Sequence, residues 1–255
     1  MTGSSMNWCV MTTVPLITRI LDTPYREYTQ DQYYLQYKHR HESLAKILAG
    51  ACTLPYLARK LTVFFERDGR KIKNHIIVER RGNLPRKRNL RKTLGSSSSS
   101  SSSSVPLFYV NVRWVCCVKD TWEQEWVHSS VLLIDMHART IEHFDPDFNK
   151  EDESQLQLQL QEIIKIHVLS LKLGKLWNLR RFTFVGTHEY CTVSLQSITS
   201  DKMCANWCML YVALRCMSTC TRHVLIHDLV SLGSEKLQEL LAKWGHFLLQ
   251  FVKVK

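Results

Sequence analysis

The sequence predicts a protein of both β-strands and α-helices, and three stretches carry that prediction. Two are the strand-like runs VPLFYVNVRWVCCV and WVHSSVLLIDMHARTIEHFDP, rich in β-branched and aromatic residues. The third is CANWCMLYVALRCMS, apolar on nearly every face and without Gly or Pro, the pattern of a helix buried inside a domain. The chain has 255 residues, 45% of them apolar, enough for one well-buried core with an appended segment or for two small domains.

In chain order, MTGSSMNWCVMTTVPLITRILDTPY lacks the basic n-region and sustained apolar stretch of a signal peptide. No run elsewhere approaches the roughly 18 apolar residues of a membrane span. The chain therefore reads as soluble and intracellular, with no membrane partner, and its nine cysteines are expected to be mostly reduced. DQYYLQYKHRHESLAKILAGACTLPYLARKL has apolar residues at helical spacing as far as Pro55. LTVFFERDGRKIKNHIIVER predicts a hairpin turning at Asp68-Gly69.

The formal charge of +11 favours contact with nucleic acid, acidic membranes or acidic proteins. Much of it lies between Arg67 and Lys92, where eleven Lys or Arg face only Asp68 and Glu79. Arg86, Lys87, Arg88, Arg91 and Lys92 have the composition of a nuclear localisation signal or a nucleic-acid clamp, and equally that of a solvated arm. No base-reading motif accompanies them. Nine serines, Ser96 to Ser104, follow, with neither the apolar surface nor the periodicity to pack. The expected organisation is an N-terminal region with a basic segment over 1–95, a linker or surface loop over 96–104, and a folded core over 105–255.

Within that core, the two strands of WVHSSVLLIDMHARTIEHFDP should form a hairpin turning between Met136 and Arg139. EDESQLQLQLQEIIKIHVLSLKL is read as helix, for its leading acids and helix formers, although its QLQLQL alternation also fits a strand. RRFTFVGTHEYC predicts a short strand. SEKLQELLAKWGHFLLQF closes the chain as an amphipathic helix capped by Ser234.

A cysteine hydrolase needs a thiolate, an imidazole in reach of it, a group that orients the imidazole, and donors for the oxyanion. Cys204 stands at the predicted start of the buried helix, where unpaired N–H groups and the helix dipole stabilise a thiolate. His128 opens the SSVLLID strand and Asp145 follows TIEHF, so a hairpin brings them to one edge of the sheet. Gln196 supplies an uncharged N–H donor eight positions before Cys204. Asp135 is the rival to Asp145, but it ends the strand that His128 begins and should lie roughly 20 Å from it at about 3.3 Å per residue. It is better read as a turn residue. Trp126 should share the face of His128, as a substrate-binding wall or as an ordinary core or surface residue. Cys208, Cys216, Cys220 and His223 have spacings a metal site uses. They lie mainly on one apolar helix, however, and lack the two loop-separated pairs of a zinc signature.

The order of HSSVLLID, IEHFDP, LQ and CANWCMLYVALR, spread over about Val105 to Ser218, resembles adenovirus protease, the SUMO proteases and related proteins of large DNA viruses. The viral group is the nearer likeness, because Ser129 follows His128 where SUMO proteases place Trp, and the nucleophile sits in Met-Cys-Ala rather than Asp-Cys-Gly. The resemblance implies an α+β papain-like fold, with a central, mostly antiparallel sheet packed on the cysteine helix. It implies Cys204 as nucleophile, His128 as base and acid, Asp145 as orienter and Gln196 as oxyanion donor. It further implies a cofactor-independent endopeptidase acting on a viral structural protein or a ubiquitin-like conjugate, in the host nucleus, the cytoplasm or the virion. The rival readings are an inactive protease-fold scaffold that binds nucleic acid or protein, and a zinc-dependent DNA-binding protein.

Overall fold

The computed structural model describes residues 14–24, 30–48, 55–68, 71–81, 107–117, 124–148, 162–163, 178, 181–217 and 220–252. The basic run 86–92, the serine tract and the 151–161 and 164–173 parts of the expected QLQLQL helix lie outside them. The fold combines α-helices with a mixed β-sheet, in two compact units: Pro55–Ser194, and Met1–Leu54 together with Leu195–Lys255. This division does not follow the serine tract.

The first unit is a six-stranded sheet in the order β2-β1-β3-β4-β5-β6, made of β1 (Pro55–Asp68), β2 (Lys71–Arg81), β3 (Leu107–Cys117), β4 (Gln124–Asp135), β5 (Thr140–Phe144) and β6 (Thr183–Val185). The β1–β2, β3–β4 and β4–β5 pairs are antiparallel, whereas β1–β3 and β5–β6 are parallel. The β1–β2 and β4–β5 hairpins are those the alternation and turn residues predict. At the β4–β5 turn, Asp135 Oδ1 accepts the N–H groups of His137 and Ala138, each at 2.8 Å, and Arg139 takes a left-handed φ of 53°. Asp135 is thus the turn residue expected.

Strand β3 reads as a nearly continuous apolar run because it lies between two partners and is buried along almost its whole length. On one face Phe108, Val110, Val112 and Trp114 pack with Leu132 and Ile134 of β4, Val63 and Phe65 of β1, and Ile141 of β5. The Trp114 indole N–H donates to the fully buried Ser130 Oγ at 2.9 Å.

The second unit is helical: α1 (Val14–Leu21), α2 (Gln30–Ile47), α3 (Leu195–Thr199), α4 (Cys204–Met217), α5 (Arg222–Ser231) and α6 (Gly233–Leu249). Helix α4 is buried on nearly every face, as its composition requires. It is held at its far end by Arg215, whose guanidinium donates to Cys220 O at 3.0 Å. The closing helix differs from expectation in its cap. Helix α6 begins at Gly233, with φ of 76°, and Ser234 lies inside its first turn, where its hydroxyl donates to Ile198 O at 2.8 Å. The buried stripe of Leu237, Leu240, Leu241 and Trp244 is as the periodicity predicts. Among the described residues no helix is long and apolar enough to cross a membrane.

Replacing Ser130 with Ala leaves the Trp114 N–H buried without its acceptor. The expected cost is about 1–3 kcal/mol in urea unfolding, with the denaturant slope unchanged.

Candidate active site

Asp145 directly follows the last residue of β5, where the next residue, Pro146, disfavours helical backbone, and the chain then turns through 146–147. Its carboxylate Oδ1 accepts His128 Nε2–H at 2.7 Å and Asp147 N–H at 3.0 Å. His128 lies within β4 rather than at its opening, opposite Trp114 of β3. The two residues lie seventeen positions apart in sequence, and the hairpin between them brings the pair together, so this part of the expected constellation is assembled.

The loop carrying Asp145 is pinned from behind. Asp145 N–H donates to Thr187 Oγ1 at 3.1 Å, and the Thr187 hydroxyl donates to His143 O at 2.9 Å. The same carbonyl accepts Tyr190 Oη–H at 2.6 Å, and Ser194 Oγ–H donates to Pro146 O at 3.1 Å. Burial by itself would raise the Asp145 pKa. The charge and hydrogen bond of His128, with His143 and the Asp147 amide, outweigh it and hold the carboxyl below its usual range. With its N–H group committed to Asp145 at Nε2, the neutral imidazole of His128 carries its proton-accepting lone pair on Nδ1.

Trp126 stands beside this pair. It is 36% exposed, its ring centroid lies 6.1 Å from that of His128 in an edge-on arrangement, and it packs at 5.8 Å against the buried Phe65. An exposed tryptophan backed by a buried phenylalanine is a rigid apolar wall next to the imidazole.

Cys204 and Gln196 belong to the helical unit. Cys204 is the first residue of α4, a half-buried thiol, and the helix opens with Asn206 and Trp207 N–H groups donating to Met203 O at 2.8 and 3.1 Å. Gln196, buried on α3, donates from Nε2 to Asp201 O at 3.1 Å, which uses one of the two amide hydrogens. Elsewhere Cys116, Cys117, Cys191, Cys208 and Cys216 are buried thiols, whereas Cys220 is disulfide-bonded. Burial pushes the Cys191 thiol up to about 11 and raises Cys216 further, so both are held in the protonated form. Among the described residues no group of three or more His, Cys, Asp or Glu side chains is placed to hold a metal ion, including the Cys216–His223 segment.

His143 escaped the sequence reading. It lies two residues before Asp145, cross-strand from Leu132, is 1% exposed, and among the described residues neither ring nitrogen has a hydrogen-bond partner. Burial lowers its pKa from 6.5 to about 4; Asp145 pulls it upward, and His128 and His188 push it down. Alternation alone would place it on the Asp145 side of β5, but nothing local signals that a histidine there is neutral and buried. No protein-family model, curated protein or solved structure matches the chain.

The unfolded chain takes up a proton at His143 below about pH 6.5, and the folded chain does so only near 4, so the folded state loses stability as pH falls through that window. His143→Leu is expected to flatten the decline by about 2 kcal/mol between about pH 7 and about pH 4.5 in urea titrations. An unchanged slope would place the acid sensitivity in other groups.

Proposed function

We propose that this protein is a cysteine endopeptidase with a papain-like core of the viral type, cleaving a protein or ubiquitin-like substrate through a thioester acyl-enzyme. The observation that carries the reading is the 2.7 Å bond from His128 Nε2 to the buried carboxylate of Asp145. A histidine so oriented is a general base with a defined tautomer. The sequence order His, Asp, Gln, Cys supplies the remaining parts, and the position of Cys204 at the head of α4 supplies its chemistry.

In this mechanism His128 Nδ1 takes the Cys204 proton and Sγ attacks the scissile carbonyl carbon. The resulting oxyanion is bound by a Gln196 N–H and by the first amides of α4. Collapse forms the thioester and breaks the C–N bond, with His128 returning the proton to the leaving amine. Water, deprotonated by His128, then hydrolyses the thioester. Asp145 stabilises the imidazolium in both halves of the cycle without itself taking the proton. Trp126 forms the apolar wall against which the substrate chain lies.

Iodoacetamide at about pH 6, with the modified residue mapped by mass spectrometry, is expected to label Cys204 ahead of the buried thiols. His128→Ala should slow that labelling about 100-fold. Asp145→Asn should slow it more than Asp135→Asn does. Labelling of Cys204 indifferent to His128 would support a non-enzymatic, basic scaffold instead, and equal effects at the two aspartates would contradict the role given to Asp145.

A further inference from the structure

Asp201, three residues before Cys204, accepts hydrogen bonds from four residues. Its Oδ1 accepts Met203 N–H at 2.6 Å, and its Oδ2 accepts Trp207 Nε1–H at 3.0 Å together with the Thr199 hydroxyl. Its main-chain carbonyl accepts Gln196 Nε2–H at 3.1 Å. These donors come from three consecutive pieces of chain: α3, which carries Gln196 and ends at Thr199; the connection through Ser200, whose φ of 51° reverses the backbone; and the first turns of α4, which carries Cys204. Thr199 and Trp207 are both buried, so their bonds to the carboxylate are sheltered from water.

The Gln196 amide depends on this arrangement. Its Oε1 is buried without a hydrogen-bond partner among the described residues, so the bond from Nε2 to Asp201 O is what fixes which way the amide faces. A rotated amide would set Oε1 against Asp201 O and withdraw both N–H groups.

We infer that Asp201 is a positioning residue that fixes the orientation of the Gln196 amide. The inference rests on the proposed roles of Cys204 and Gln196. The carboxylate acts at a distance from the reacting atoms: by clamping Met203, Trp207 and Thr199 it holds its own main-chain carbonyl in place, and that carbonyl orients the oxyanion donor. Asp201→Asn keeps the shape and one acceptor oxygen, but puts an amide where the Trp207 and Thr199 donors need an acceptor.

Two reactions of Cys204 separate this role from a merely structural one. Acylation by p-nitrophenyl acetate forms the Sγ–acyl bond, releases p-nitrophenolate and passes through an oxyanion. Alkylation by iodoacetamide forms an Sγ–C bond, releases iodide and has no oxyanion. In the full chain, Asp201→Asn is expected to lower the ratio of acylation to alkylation rates at Cys204 about tenfold, at temperatures where the variant remains folded. Thr199→Val, which removes one donor at nearly constant volume, should lower the same ratio less. Gln196→Ala should lower it as well, and the double variant Gln196→Ala with Asp201→Asn should lose little more than Gln196→Ala alone, since Asp201 acts through Gln196. A ratio unmoved in Asp201→Asn and Thr199→Val, or losses that multiply in the double variant, overturns the inference while the nucleophile assignment stands. Wild-type protein whose Cys204 is not acylated in a His128-dependent way overturns both.

Discussion

The hydrogen bond between His128 and Asp145 is the constraint on which the catalytic reading turns, and much of the sheet unit serves it. A carboxylate in a buried site is tolerable only with partners, and Asp145 has them: the imidazole, the Asp147 amide, and a backbone tied through Thr187, Tyr190 and Ser194. The imidazole is fixed in turn by its place in β4 beside Trp126 and opposite Trp114. Because both groups lie in a low-dielectric setting, the bond is stronger than the same pair would be in water, and its loss would leave a buried charge unpaired. Such a pair is weak evidence for stability. It is better understood as a device that selects one tautomer of one histidine.

The helical unit is assembled from both ends of the chain. Lys243 of α6 donates to Leu21 O, Lys46 of α2 donates to Phe251 O, and the Arg19 guanidinium lies 5.2 Å from the centroid of the Phe247 ring. Helix α6 also packs on α4, where Trp244 Nε1–H donates to Asn206 O at 3.2 Å. The support of the helix headed by Cys204 therefore includes residues from the first fifty of the sequence.

What could be read from the sequence follows the range of the forces involved. Strands β3, β4 and β5, the turn at Asp135, the buried character of α4 and the apolar stripe of α6 were legible because each is written in local periodicity and turn chemistry. The meeting of His128 and Asp145 was legible because one hairpin accomplishes it. The parallel pairing of β1 with β3 was not, since it joins strands separated by the basic and serine segments and no local pattern encodes it. Nor was the start of α6: Ser234 is a good capping residue by type, but the backbone enters the helix one residue earlier and uses the hydroxyl to hold Ile198. His143 and Asp201 escaped for a related reason, since a buried neutral histidine and a carboxylate collecting donors from three segments are properties of packing, not of spacing.

The central claim is that Asp145 fixes His128 with its proton on Nε2 and its lone pair on Nδ1. Nitrogen NMR of the protein labelled at its histidine rings, at neutral pH, measures this directly, with His128→Gln to assign the signals. The account predicts a His128 imidazole protonated at Nε2, with a strongly downfield proton that shifts back in Asp145→Asn. A His128 ring protonated at Nδ1, or one whose signals ignore the substitution at Asp145, would contradict it.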